Sequence, residues 1–184
     1  MLRAAFIALS ASKSLRTAAE KTWVGQRLSR RFVAGTAIDD ALRATRAMNQ
    51  LGLSVSVDNL GENVTNAEEA RHSAELYHEM LDQMNAQGLN ANVSLKLTHM
   101  GLDVDEPMAY EIASGLVEHA VKIDNFVRVD MEGSVYTQRT LDFVHRLHQK
   151  PENAGHVGAV VQAYLHRSEK DIEQLIAERI RVRL

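Results

Sequence analysis

Three observations predict an α/β fold built from repeated strand–helix units. Four short apolar segments, residues 53–58, 92–98, 126–132 and 157–164, read as strands, and a fifth begins at Ile180. Helix-periodic segments separate them. Each strand ends in or beside a polar residue suited to chemistry: Asp58, Lys96, Asp130 with Glu132, and Gln162. Polar groups at the C-terminal ends of alternating strand–helix units are the pattern of an α/β active site.

Taken in order, residues 2–31 predict a helix or a pair of helices. Thr36 stands three before Asp39, a variant of the capping box. The helix that follows carries Ile38, Leu42, Thr45 and Met48 along one side and stops at Leu51-Gly52, where Gly can take the left-handed cap. Leu53, Val55 and Val57 alternate with Ser54, Ser56 and Asp58, which is strand periodicity. Gly61 and Asn63 make a loop, and Thr65 with Glu68 forms another capping box. Ala67, Ala70, Ala74, Tyr77, Leu81 and Met84 then recur at helical spacing up to Gly88. After the second strand come Gly101, Asp103 and Asp105, with Pro107 in the first turn of the next helix. After the third, Thr137 caps a helix reaching about Gln149. Residues 151–155 make a turn. After the fourth strand, Ser168 and Asp171 cap a helix carrying Ile172, Leu175 and Ile176.

Strands joined by helical crossovers run parallel, with right-handed connections. Two closures are open to such a chain, a doubly wound sheet or a (β/α)8 barrel. In a sheet covered on both faces each strand is a continuous apolar run. Here one side of each strand is apolar, and the other carries Ser54, Ser56 and Asp58; Asn92, Ser94, Lys96 and Thr98; and Arg128, Asp130 and Glu132. A barrel with a polar ligand at its mouth accounts for that. No Gly-x-Gly-x-x-Gly follows the first strand, which argues against a dinucleotide-binding sheet. The expectation is an N-terminal helical segment over residues 1–35, then the first half of a (β/α)8 TIM-like barrel over 36–184, truncated at strand five. Units of roughly 30 residues would need about twice this length to close a barrel, and an open half would leave an unpaired edge.

Composition narrows the function classes. The chain is 45% hydrophobic, enough for a core, and has two prolines and no cysteine, so disulfides and thiolate metal sites within it are excluded. Residues 1–31 hold seven basic side chains against Glu20, a balance of +6 within a net charge of −3. Such a start could be a targeting peptide or a membrane-surface helix. The apolar run 4–9 is too short for a good signal core, which favours a basic amphipathic helix. Without interleaved aromatics, nucleic-acid binding is not expected. No run is long enough to span a membrane. A cytoplasmic protein with at most a peripheral contact at the inner membrane is expected.

Lys96, on the polar side of strand two, could pair with a substrate carboxylate, form a Schiff base, or simply bridge to Asp130. Asp130 and Glu132 lie two apart on one side of strand three. They could serve as an acid/base pair, a metal site or counter-charges; Glu132, next to the loop, is well explained as a solvated or capping group, which makes Asp130 the better candidate. Gln162 offers an amide that both donates and accepts, suited to a heterocycle edge or to a supporting role. Tyr164 reads as packing. Arg181 and Arg183 alternate onto one face of strand five, where a place beside an anion or a flavin competes with a disordered tail as the reading. His145 and His148 have the i, i+3 spacing of half a metal site without a third ligand. Asp103 and Asp105 are explained by capping.

Asn92-Val-Ser-Leu-Lys-Leu-Thr98, Phe126-Val-Arg-Val-Asp-Met-Glu132, Val161-Gln-Ala-Tyr164 and Arg181-Val-Arg-Leu184, with Leu60-Gly-Glu-Asn63, together resemble the flavin-dependent proline dehydrogenases of the bacterial monofunctional type. The resemblance runs from about Phe32 to Leu184. It implies a distorted (β/α)8 barrel holding FAD, oxidation of L-proline to 1-pyrroline-5-carboxylate, and electron transfer to a quinone. It also implies that Lys96 binds the proline carboxylate and that Asp130 belongs to the polar network ordering the site. Met131 and Gln162 would contact the flavin, and Arg183 would lie by flavin N5. The family continues past Arg183-Leu184 with a Lys-Gly-Ala-Tyr segment and later substrate-binding arginines, so these 184 residues alone are expected to be inactive. A Schiff-base lyase or aldolase using Lys96 is the competing enzyme reading, and a non-catalytic interaction module the third.

Overall fold

The computed structural model describes residues 32–61 and 63–184, together with Thr22 and Trp23. The helix or pair of helices expected over 2–31, Thr22 and Trp23 apart, and Glu62 lie outside the described residues. The chain divides into two compact units, Met1–Ala44 and Thr45–Leu184, with the division inside α1 (Ile38–Gln50).

In the first unit the start of α1 is capped by Asp40, not Asp39. Its carboxylate accepts the backbone N–H groups of Thr36 at 3.2 Å and Ala37 at 3.3 Å. A helix leaves its first N–H groups unpaired, and an acidic side chain there satisfies them and complements the helix dipole.

The second unit is a parallel sheet of five strands, β1 (Val55–Asp58), β2 (Ala91–Leu95), β3 (Val127–Val129), β4 (Val157–Val160) and β5 (Arg181–Arg183). They are joined by α2 (Ala67–Ala86), α3 (Glu106–Lys122), α4 (Thr137–His148) and α5 (Ser168–Ala177). Spatial order equals sequence order, β1-β2-β3-β4-β5, with every neighbour parallel. A doubly wound sheet reverses its strand order at a switch point. This sheet does not reverse, so it has the winding of the barrel expected from the strand pattern.

The observed strands are shorter than the apolar runs. In β2, β3 and β4 the last residues of the run leave the ladder to form the loops at the strand C-termini, where the polar groups cluster, while β1 loses Leu53 and Ser54 at its start. The core lies between one face of the sheet and the helices. Val57, Val93, Leu95, Val127, Val129, Val157 and Ala159 are buried with Leu81, Met84, Leu116, Val117, Phe143, Val144, Leu147 and Leu175. Each of these side chains larger than alanine contributes about 1.5–3 kcal/mol when removed from water.

Helix ends follow the expected chemistry with shifts of one residue. At the end of α1, Gly52 has φ 79°, and Leu53 N–H bonds Met48 O at 3.1 Å, closing a Schellman turn. The cap of α2 is Asn66, whose Oδ1 accepts Glu69 N–H at 2.9 Å, while Glu69 Oε2 accepts Thr65 N–H at 2.8 Å. The reciprocal partner is therefore Glu69, not Glu68. Asp105 caps α3 through Met108 N–H at 2.7 Å. Two expected caps are absent. Thr137 lies inside α4 with its hydroxyl buried and unpaired, and Ser168 turns its hydroxyl away from α5 to Gln162 O at 2.6 Å.

Candidate active site

The polar face of the sheet carries two ion pairs at the strand C-terminal ends. Lys96 Nζ donates to Asp58 Oδ2 at 3.3 Å. Arg183 Nη2 donates to Asp130 Oδ1 at 2.6 Å, and the same oxygen accepts Ser94 Oγ at 2.6 Å. Lys96, Asp58 and Asp130 are each about four-fifths buried, whereas the Arg183 side chain is 44% exposed. The expected alternative of a Lys96–Asp130 bridge is not what forms. β2 lies between β1 and β3, so Lys96 can turn either way. Asp130 already neutralises Arg183, and Asp58 takes the lysine.

Tyr77 reaches this layer from α2. It is fully buried, and its hydroxyl lies 3.0 Å from Asp58 Oδ1 and 2.9 Å from Ser94 O, while accepting Asn59 N–H at 3.2 Å. A phenol has one proton, so it donates to one of the two acceptors at a time. Burial, then the Asp58 carboxylate, push its pKa far up, so it remains a donor at every ordinary pH. Sequence reasoning placed Tyr77 in the apolar stripe of α2. The available signal was its hydroxyl, because a fully buried tyrosine needs a hydrogen-bond partner.

Above the ion pairs the rim is tied together. Glu132 accepts Thr98 N–H at 3.1 Å and also the Thr98 hydroxyl, and Thr98 Oγ1 accepts Asn63 N–H at 3.2 Å. Glu132 thus fixes loops and does not pair with Asp130. His99 Nε2 lies 2.8 Å from Ser73 Oγ, and its Nδ1 is buried without a partner. Gly61 sits on this ring: a Cβ there would come within 2.4 Å of His99 Cε1. Burial lowers the His99 pKa.

At β4, the Gln162 side-chain carbonyl is buried and unpartnered, while its backbone carbonyl is held by Ser168. Met131 is buried, in phase with Val127 and Val129 rather than with Asp130. Deeper in the sheet, Arg128 and Arg181 lie against the Phe126 ring, at 5.1 and 4.1 Å from its centre. Tyr164, expected to pack, is 77% exposed. His145 is engaged by Glu178 at 2.5 Å, and Asp103 by Tyr136 at 2.5 Å and Arg139 at 3.0 Å. Among the described residues no cluster of three or more His, Asp or Glu could hold a metal.

The family model described as proline dehydrogenase matches residues 41–182. The chain belongs to the proline dehydrogenase family. It is 38% identical over 170 residues to proline dehydrogenase 2 of Bacillus subtilis, covering 92% of this chain and 55% of that protein. It is 35% identical over 176 residues to proline dehydrogenase 1 of the same organism, covering 95% and 57%. Identity to the proline dehydrogenase of Deinococcus radiodurans is 30% over 170 residues, covering 91% and 54%. The chain therefore spans about half the length of the curated relatives it matches. Among solved structures, proline utilization A from Bdellovibrio bacteriovorus superposes with a TM-score of 0.76 at 22% identity, covering 84% of this chain and 19% of that one. This likeness agrees with the barrel winding of the sheet. The lyase alternative finds no support, since the family matched is one of dehydrogenases and the Lys96 ammonium is engaged by Asp58.

Proposed function

We propose that this chain supplies the first five strands of the active site of an FAD-dependent proline dehydrogenase, which oxidises L-proline to 1-pyrroline-5-carboxylate. The observation that carries the reading is the pair of ion pairs, Lys96–Asp58 and Arg183–Asp130, side by side at the C-terminal ends of parallel strands. Barrel enzymes build their sites at that end.

Lys96 is the substrate-binding residue. Its ammonium can keep one hydrogen bond to Asp58 and give another to the proline carboxylate. Asp130, acting as a catalytic residue, orients Arg183 and balances its charge. Arg183 brings positive charge to the rim, where negative charge would develop as the substrate is oxidised. The residues present also suit a flavin. The unpaired buried carbonyl of Gln162 can accept an N–H from the edge of a heterocycle, and Met131, which follows Asp130 in the chain but buries its side chain on the core face, would offer the flavin its backbone. FAD, when bound, supplies two-electron acceptance from the carbon beside the proline nitrogen.

A quinone is the proposed onward acceptor. The proposed meeting with a membrane quinone is a peripheral one from the cytoplasmic side; among the described residues no helix is long and apolar enough to cross a membrane.

The test is anaerobic mixing of the FAD-loaded intact gene product with L-proline. Bleaching of the flavin absorbance and its return on adding a soluble quinone are expected. Lys96→Ala should need at least tenfold more proline for half-maximal bleaching, since a lost charge-assisted hydrogen bond is worth about 1.5–3 kcal/mol. A protein that holds FAD but is not bleached by proline would sink the reading.

A further inference from the structure

The geometry points to Tyr77 as a positioning residue that sets the proline-binding ammonium of Lys96 by acting through Asp58. The inference rests on the function proposed above for Lys96. Its own basis is a contact set that ordinary packing does not require.

Tyr77 belongs to a helix on the outer layer, yet its hydroxyl touches three backbone or side-chain groups of the site layer. It meets Asp58 Oδ1 at 3.0 Å, Ser94 O at 2.9 Å and Asn59 N–H at 3.2 Å. With the phenol proton directed at Oδ1, Asp58 is held from both sides, by Tyr77 on Oδ1 and by Lys96 on Oδ2. A carboxylate with one donor per oxygen has its plane fixed, and the ammonium it anchors is fixed in turn. Ser94 extends the link. Its carbonyl faces Tyr77, and its hydroxyl donates to Asp130 Oδ1, which carries Arg183. Donated to Asp58, the single phenol proton braces the Lys96 pair; donated to Ser94 O, it holds the strand whose serine hydroxyl supports the Arg183 pair. Lysine is a flexible point charge with many rotamers, so a site that must hold a small carboxylate gains affinity when this freedom is removed in advance.

A purely structural tyrosine would show itself in stability alone. In the FAD-loaded intact protein, Tyr77→Phe is expected to raise KM for L-proline about tenfold and to leave kcat within about twofold. Asp58→Asn should raise KM as well. If Tyr77 acts through Asp58, adding Tyr77→Phe to Asp58→Asn should change KM less than twofold further, because the two share one path. Multiplying effects, or an unchanged KM with a lower melting temperature, would overturn the inference. A crystal structure of Tyr77→Phe gives a readout independent of activity: the Asp58 carboxylate should rotate and the Lys96 contact should lengthen. If the wild-type protein neither binds nor oxidises proline, the proposed function fails. The Tyr77→Phe structure then still decides whether Tyr77 positions Lys96, and an unmoved ion pair rejects it.

Discussion

Asp130 serves two partners with one oxygen, and that sharing separates its chemical role from its structural one. Ser94 Oγ and Arg183 Nη2 both lie 2.6 Å from Oδ1. Arg183 is 44% exposed and can rehydrate if released, so the ion pair is worth little to stability. Asp130→Asn keeps the shape and the hydrogen bond from Ser94 but removes the charge that holds the guanidinium. The expected result is a fall in proline-dependent flavin reduction of tenfold or more, with unfolding free energy within about 1 kcal/mol of wild type. Rapid-mixing flavin absorbance and urea titration measure the two. A large stability loss with unchanged reduction rate would make Asp130 a framework residue. The contrast with Tyr77 is one of burial. A phenol with no exposed surface cannot rehydrate its stranded partners, whereas a guanidinium at the rim can.

At the scale of elements, the β4–β5 pairing depends on one missing side chain. Gly158 pairs with Arg181, and a Cβ there would lie 2.3 Å from Arg181 O and 2.8 Å from the Phe126 ring. Backbone cannot move aside cheaply, so Gly158→Ala should push β5 away from β4 and displace Arg183 with it. A loss of about 1–3 kcal/mol is expected by thermal or denaturant unfolding, together with weaker flavin binding read by equilibrium dialysis. The sequence pattern made the strands and their polar faces legible, because alternation records which side meets the helices. Lys96, Asp130, Gln162 and Arg183 were readable for the same reason, as polar groups at strand ends. Strand ends and caps were less readable. Asn66 outcompetes Thr65 for the cap of α2, and Ser168 is drawn to Gln162 O; both choices depend on where the chain turns in space. The partner of Lys96 was hidden too. Periodicity places it between two acidic strands but does not say that Arg183, far along the chain, occupies Asp130.

Across the whole molecule the perturbed groups predict the shape of the stability–pH curve. His99 and His78 are both held below the ordinary value of 6.5, chiefly by burial. The folded protein keeps them neutral while the unfolded chain protonates them. The unfolded state then binds more protons, and stability must fall as pH drops below about 6.5. Asp103 and Glu118 are lowered as well, by hydrogen bonds from Tyr136 and Lys150 respectively. Their contribution is present above the ordinary values of 3.8 and 4.5 and is lost as pH falls through the lower folded values. On the alkaline side, Tyr77 is raised above its ordinary 10.0 by burial and Lys150 above 10.5 by its hydrogen bond to Glu118. Both favour the folded state until the unfolded chain begins to lose those protons, near pH 10. The melting temperature should therefore be flat between about pH 7 and 9, decline first through the histidine range, and fall again below about pH 4.5. Replacing His99 by Gln should weaken the first decline, because the unfolded chain then gains one proton fewer. A histidine-range decline that is undiminished in His99→Gln would assign it to other groups, with His78, beside His119, Asp82 and Lys122, the next to replace.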